Sequence, residues 1–215
     1  MAELVIFDLD GTLADTIEDI AASVNGALAR RGLPAHDIPA YKRMVGDGLT
    51  TLVTRALPPE LRGAALVEEL RAEAAAAYAA APLAATRPYA GIRELLAELK
   101  RRGLPFAVLS NKPHALAVTV VAGLFPEAGF ALVRGESPDF PKKPDPAAAL
   151  DIARRLGAAP ADCLYVGDSD VDMATARSAG MRAVGVAWGF RGSGELREAG
   201  ADRVIEEPRE LLALL

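Results

Sequence analysis

Two carboxylates one residue apart, Asp8 and Asp10, end the apolar run Leu4-Val5-Ile6-Phe7 and are followed at once by Gly11 and Thr12. Crowded acids repel unless a cation or a proton lies between them, so this spacing points to a site for a hard metal ion. Three further segments carry side chains suited to an anionic substrate. Phe106-Ala107-Val108-Leu109 runs into Ser110-Asn111-Lys112, a hydroxyl donor beside an amide. Lys142-Lys143-Pro144-Asp145-Pro146 puts a cation in a stiff loop, and Leu164-Tyr165-Val166-Gly167 runs into Asp168-Ser169-Asp170-Val171-Asp172. Acids, a hydroxyl and a lysine recurring at the ends of apolar runs make one site more economical than four unrelated turns.

The elements that must position these groups are legible in the pattern. Strand-like runs recur near residues 3–7, 105–109, 130–133, 162–166 and 182–187, with a weaker one near 203–205. Helical patterns at 91–102, 114–123, 146–156 and 171–179 alternate with them. Such alternation predicts an α/β fold, a Rossmann-like parallel sheet with helices on both faces. Ligands of open α/β sheets bind beyond the carboxyl ends of the strands, where Asp8 and Asp10 emerge.

One interval breaks the alternation. From Asp15 to about Pro88 there are only amphipathic helical stretches, interrupted at Gly32-Leu33-Pro34, Gly46-Asp47-Gly48 and Pro58-Pro59. That is too long for a crossover loop, so an inserted helical cap is expected. The reading is therefore an α/β catalytic core of residues 1–15 and 88–215, with a small helical cap domain at 16–87.

Composition narrows the function classes. The chain has 215 residues, 51% of them hydrophobic, and a net charge of −5 with no basic stripe, which argues against a nucleic-acid partner. No apolar run reaches the ~18 residues of a membrane span, and the first strand begins too early for a signal peptide. A single cysteine, Cys163, fits a reducing compartment and an inert buried thiol. A soluble cytoplasmic protein acting on a small molecule is expected, with monomer and homodimer both open.

In this order and on this scaffold, the four segments resemble the haloacid dehalogenase superfamily of phosphohydrolases, and the resemblance runs the length of the chain. Within it the chain looks most similar to phosphoglycolate phosphatases, through Val45-Gly46-Asp47-Gly48, Pro88-Tyr89-Ala90-Gly91 and the stretch from Gly185 to Phe190. The resemblance implies a helical lid at this insertion point and a nucleophile at Asp8 that forms an aspartyl-phosphate. It implies Mg²⁺ held by the Asp8 carboxylate, the Asp10 carbonyl and Asp168, with Asp172 behind them or as an alternative ligand. Asp10 would keep its side chain free as general acid and then base. Lys143, rather than Lys142, matches the family's lysine before the prolines.

Further roles follow for the neighbouring residues. Ser110 and the Asn111 amide would donate to a phosphoryl oxygen, and Lys143 would balance charge on nucleophile and substrate. Backbone amides at Gly11 and Thr12 would approach the phosphate. Gly46 and Gly48 would bring a loop over the leaving group, and the preceding Lys42 and Arg43 either meet a second anionic group such as a carboxylate or stand solvated. Asp170 reads as a helix N-cap, His36 and His114 as structural, and Trp188 as either rim or packing. The expected activity is Mg²⁺-dependent hydrolysis of a phosphomonoester, with 2-phosphoglycolate first. Pyrophosphate, nucleoside monophosphates, sugar phosphates and a sugar-phosphate mutase reaction remain as alternatives. A dehalogenase, a receiver-type signalling domain and a non-enzymatic binding protein rank lower.

Overall fold

The computed structural model describes residues 2–215. Its sheet is built from β1 (Leu4–Phe7), β4 (Phe106–Pro113), β5 (Leu132–Glu136), β6 (Cys163–Gly167), β7 (Arg182–Val186) and β8 (Arg203–Ile205). They lie in the order β5-β4-β1-β6-β7-β8, and all five neighbouring pairs run parallel. A parallel sheet is covered on both faces, so its strands are apolar on both sides. Val5 and Phe7 enter one core with Val108 and Val166, while Leu4 and Ile6 enter the other with Ala107 and Tyr165. Burying each such large side chain contributes roughly 1.5–3 kcal/mol. Helices α5 (Ile92–Arg101), α6 (His114–Leu124), α7 (Ala147–Leu156), α8 (Asp170–Ser178) and α9 (Ser193–Glu198) accompany the strands.

Register brings the functional segments together. Phe7 pairs with Val108 on one side and Val166 on the other. Asp8 therefore leaves the sheet between the ends of its two central neighbours, which lead to Ser110 and Asp168.

The interval without sheet strands is helical: α1 (Ile17–Ala29), α2 (Ile38–Met44), α3 (Leu49–Ala56) and α4 (Ala64–Ala80). The expected breaks at 32–34, 46–48 and 58–59 fall between these helices. They share a separate core in which Ile17, Val24, Tyr41, Val53 and Leu70 are buried, with Leu116 of α6 reaching in. Chain entry and exit are tied by a short antiparallel pair, β2 (Ala14–Asp15) and β3 (Arg87–Pro88). Beside it the buried carboxylate of Asp19 accepts from the amides of Ala85 and Thr86 and from the Thr86 hydroxyl.

Three local readings need correction. Ser110, Asn111 and Lys112 lie within β4, because that strand resumes pairing at Pro113–Glu136 after an irregularity that follows Leu109. Its partner β5 accordingly runs to Glu136, beyond the expected 130–133. Asp170 is the first residue of α8, not its cap. Ser169 takes that role, accepting from the Asp172 amide while the Asp172 side chain accepts in return from the Ser169 amide. Among the described residues no helix is long and apolar enough to cross a membrane.

Candidate active site

Three buried carboxylates converge at the carboxyl edge of β1 and β6: Asp8, Asp168 and Asp172 can present one oxygen each within 4.8 Å of one another. Lys143 enters this group from the loop before α7. Its Nζ lies 2.7 Å from Asp172 Oδ1 and 2.9 Å from Asp8 Oδ1. The Asp8 contact is an ion pair, and no other group donates to Asp8 Oδ1 among the described residues. Asp172, by contrast, is tied at both oxygens: Oδ2 accepts from the Ser169 amide and hydroxyl while Oδ1 accepts from Lys143.

Electrostatics follow from this crowding. Burial pushes the Asp8 carboxyl up to about 7; Lys143 opposes that, and the charges of Asp172 and Asp10 reinforce it. Burial, and then the Asp172 and Asp8 charges, hold Asp168 well above the carboxylate range. Burial would lower Lys143, yet Asp172 and Asp8 outweigh it and keep the ammonium protonated. One lysine would not neutralise all three acids in their ionised form, so burial keeps protons on them until a positive charge replaces those protons. An all-oxygen donor set of this kind fits a hard divalent cation.

Asp168 is held in place by its neighbours. Thr12 Oγ1 donates to its Oδ1 at 3.3 Å, and the Phe190 amide donates to its Oδ2 at 2.7 Å. Gly11, at φ +84°, packs so tightly that a Cβ there would strike the Asp168 carboxylate. Trp188 Nε1 donates to the Thr12 carbonyl at 3.0 Å, so this tryptophan supports the turn and packs on the core.

The turn differs from expectation in one respect. The Gly11 amide donates to Ala14 O at 2.9 Å and the Thr12 amide to Leu9 O at 3.3 Å. Both are engaged within the turn. Thr12 acts instead through its hydroxyl, on Asp168.

Asp10 also departs from the expected free side chain. Its two oxygens accept from Lys112 Nζ at 2.8 and 3.1 Å. The same ammonium donates to the Tyr78 hydroxyl of α4 at 2.7 Å. Nothing in the local sequence singles out Tyr78, which reads as one apolar position of an alanine-rich helix. Lys112 stood in plain view beside Ser110 and Asn111, but its partners are set by packing.

Ser110 is buried with its Oγ accepting from the Lys112 amide at 3.2 Å, and it lines the cavity in front of Asp8. Asn111 does more than offer an amide. Its side chain accepts from the Lys143 amide at 2.8 Å and donates to the carbonyls of Lys143 and Gly46, each at 3.0 Å. The loop at 46–48 is thereby attached to the sheet. Lys142, the rival lysine, donates to Asp47 O at 2.7 Å and has no place among the carboxylates.

Lys42 and Arg43 do not line the cavity. Their carbonyls, with that of Val45, instead receive the guanidinium of Arg191. His36 meets the Ala56 carbonyl and His114 Nδ1 accepts from the Gly135 amide, so both are bracing groups. Cys163 is buried in β6, and burial pushes its thiol up to about 11.

The sequence comparisons agree with this architecture. The model for haloacid dehalogenase-like hydrolases matches residues 2–180. The chain is 34% identical to Phosphoglycolate phosphatase 1 of Pseudomonas aeruginosa, over 99% of this chain and 79% of that protein. It is 33% identical to the phosphoglycolate phosphatase of Xanthomonas campestris pv. campestris, over 96% and 93% of the two chains. A solved structure from Lactobacillus delbrueckii subsp. bulgaricus superposes with a TM-score of 0.92 at 30% identity, covering 97% of this chain and 96% of that one. With the family model spanning most of its length and relatives of this similarity along nearly all of it, the chain belongs to the haloacid dehalogenase-like hydrolases.

Proposed function

We propose that this phosphoric monoester hydrolase acts on 2-phosphoglycolate through an aspartyl-phosphate at Asp8, with Mg²⁺ as its cation. The observation that carries the mechanism is the contact of Lys143 with both Asp8 and Asp172 inside an acid cluster that one lysine does not neutralise. The substrate assignment is supported by the relatives named above. A cavity of about 60 Å³ before Asp8, whose lining joins apolar groups to Lys112, Arg191, Ser110 and the acids Asp8, Asp10 and Asp168, also suits a very small anion.

Residues 1–15 and 88–215 serve as the catalytic core in this reading, and residues 16–87 as a cap over the cavity. Asp8, Asp168 and the Asp10 carbonyl would hold the cation, with Asp172 behind them orienting Lys143. When bound, the cation supplies the positive charge that lets a carboxylate approach an anionic phosphoryl group. Asp8 attacks phosphorus as the bond to the leaving oxygen breaks. Asp10 donates the proton that the departing alkoxide takes up. Glycolate leaves, and Asp10, now a carboxylate, accepts a proton from the water that attacks the aspartyl-phosphate. Phosphate is released and Asp8 regenerated. Lys143 and the Ser110 hydroxyl stabilise charge on the phosphoryl oxygens throughout. The buried single cysteine is in keeping with work in the cytoplasm.

A panel of small phosphate esters, assayed with and without Mg²⁺, tests the assignment. The highest kcat/KM is expected for 2-phosphoglycolate, with turnover abolished by EDTA and restored by Mg²⁺. A clear preference for a sugar phosphate or a nucleoside monophosphate would reject it.

A further inference from the structure

We propose that Lys112, partnered by the Tyr78 hydroxyl, is the group that recognises the carboxylate of the substrate. The inference rests on the reading of the substrate as a phosphorylated hydroxy acid. Such a substrate brings two anionic ends. Its phosphoryl end is met by Lys143 and the cation site, so the other end needs a second positive group facing the same cavity.

Two cationic residues line that cavity, Lys112 and Arg191. Arg191 is engaged elsewhere. Its guanidinium donates to the carbonyls at the end of α2 and pairs with Glu195 at 3.0 Å. Lys112 stands two residues beyond Ser110 on β4 and is 6% exposed. Its ammonium is 4.2 Å from the centre of the Tyr78 ring. The walls beside it are apolar, contributed by Ile20, Val45, Leu49, Leu52, Leu116 and Phe190. A charge pair formed in such a setting is poorly screened, so one carboxylate contributes much more than at a surface.

The donor count also favours this role. The Tyr78 hydroxyl accepts from Lys112, and among the described residues no acceptor receives its own hydrogen. A tyrosine hydroxyl both donates and accepts, and a buried donor without a partner carries a cost. A carboxylate lodged here would accept from the tyrosine, and from the ammonium once one of its two bonds to Asp10 is given up. Lys112 would then hold Asp10 and the substrate at once, joining substrate choice to the proton-transfer group. The cations expected from sequence, Lys42 and Arg43, are absent from the cavity lining.

The test compares 2-phosphoglycolate with ethyl phosphate, which carries a methyl group where the carboxylate would be. Wild type, Lys112→Met and Tyr78→Phe are assayed on both, with circular dichroism confirming the fold. Wild type should favour 2-phosphoglycolate. Lys112→Met should shrink that preference roughly 10- to 100-fold, chiefly through KM, as loss of a charge-assisted hydrogen bond implies. Tyr78→Phe, which removes a single oxygen, should shrink it several-fold and keeps the test available if the lysine variant does not fold. Ethyl phosphate hydrolysis falls as well where Asp10 loses its partner, so the ratio is the readout. An unchanged ratio in both variants would overturn the proposal and leave Lys112 a positioning residue for Asp10. A wild type with no preference for 2-phosphoglycolate would instead overturn the substrate reading, and this proposal with it.

Discussion

Asn111 and Gly46, sixty-five positions apart in the chain, are joined by a hydrogen bond of 3.0 Å from the Asn111 amide to the Gly46 carbonyl. The same side chain accepts from the Lys143 amide, so one residue of β4 fixes both the lysine loop and the loop over the cavity. We predict that Asn111→Ala lowers kcat/KM by about 100-fold, the scale associated with a small misplacement of catalytic groups. Arg191→Ala, which releases α2 but leaves the lysine loop in place, should cost clearly less. Steady-state kinetics on the two variants decide this, and a larger loss in Arg191→Ala would reverse the assignment.

Asp8→Asn should reduce turnover by at least roughly 10⁴-fold, because an amide cannot serve as the nucleophile. Stability of the metal-free protein should not fall, since the change relieves a crowded buried charge. Mass spectrometry of wild type quenched during turnover should locate the phosphoryl group on Asp8. Modification of another residue instead would exclude this mechanism.

Mg²⁺ binding should release protons, and less of them as pH rises. Asp8 titrates at about 7 in the metal-free site, and Asp168 is also held high. At pH 6 the incoming cation must displace protons from carboxyl groups; by pH 8 Asp8 has already lost its own. Calorimetry in buffers of different ionisation enthalpy measures the number directly. A proton count that stays at zero from pH 6 to pH 8 contradicts the predicted ligand set.

The loop at 46–48 depends on backbone that only glycine adopts easily. Gly46 has φ +133° and Gly48 has φ +84°. Gly46→Val and Gly48→Ala should each lower kcat/KM for 2-phosphoglycolate by about tenfold or more, because closure orients the substrate and excludes water. Acetyl phosphate, a small activated ester, should lose much less. Equal losses for the two substrates would mean that the loop is merely a turn between helices.

Asp19→Ala should destabilise the fold by about 2–4 kcal/mol, since it leaves the buried Thr86 amide and hydroxyl unpaired. For a chain of this size that corresponds to a fall in Tm of roughly 5–15 °C. Thermal melting monitored by circular dichroism provides the measurement, and a shift below about 2 °C would show that water replaces the carboxylate at little cost.

How much of this was legible differs between fold and site. Five of the six main strands are short runs rich in apolar residues that local periodicity locates, while β5, Leu-Val-Arg-Gly-Glu, is displaced from its expected span. Asp8, Asp168 and Lys143 could be singled out as candidates too, because the segments that carry them resemble the family's motifs at strand ends and before a proline pair. Boundaries were weaker where neighbours decide them. β4 runs on to Pro113 because β5 pairs with it there, and Asp170 gave way to Ser169 because the cap depends on which amides are left free.

By itself, the sequence determined the parallel α/β sheet, the helical insertion and the acids that emerge from its strand ends. These depend on periodicity and short-range geometry, which act over a few residues. Tertiary structure alone decided what those acids touch. Lys112 reaches Asp10 across 102 positions and Tyr78 across 34, while Arg191 reaches Val45 across 146. The pairings with Tyr78 and Val45 depend on how the helical layer settles against the sheet, and that with Asp10 on how β4 lies beside β1; no local pattern encodes either. Hydrogen bonds require donor and acceptor within about 3 Å and in line, so a residue's type offers a partner but only packing chooses it.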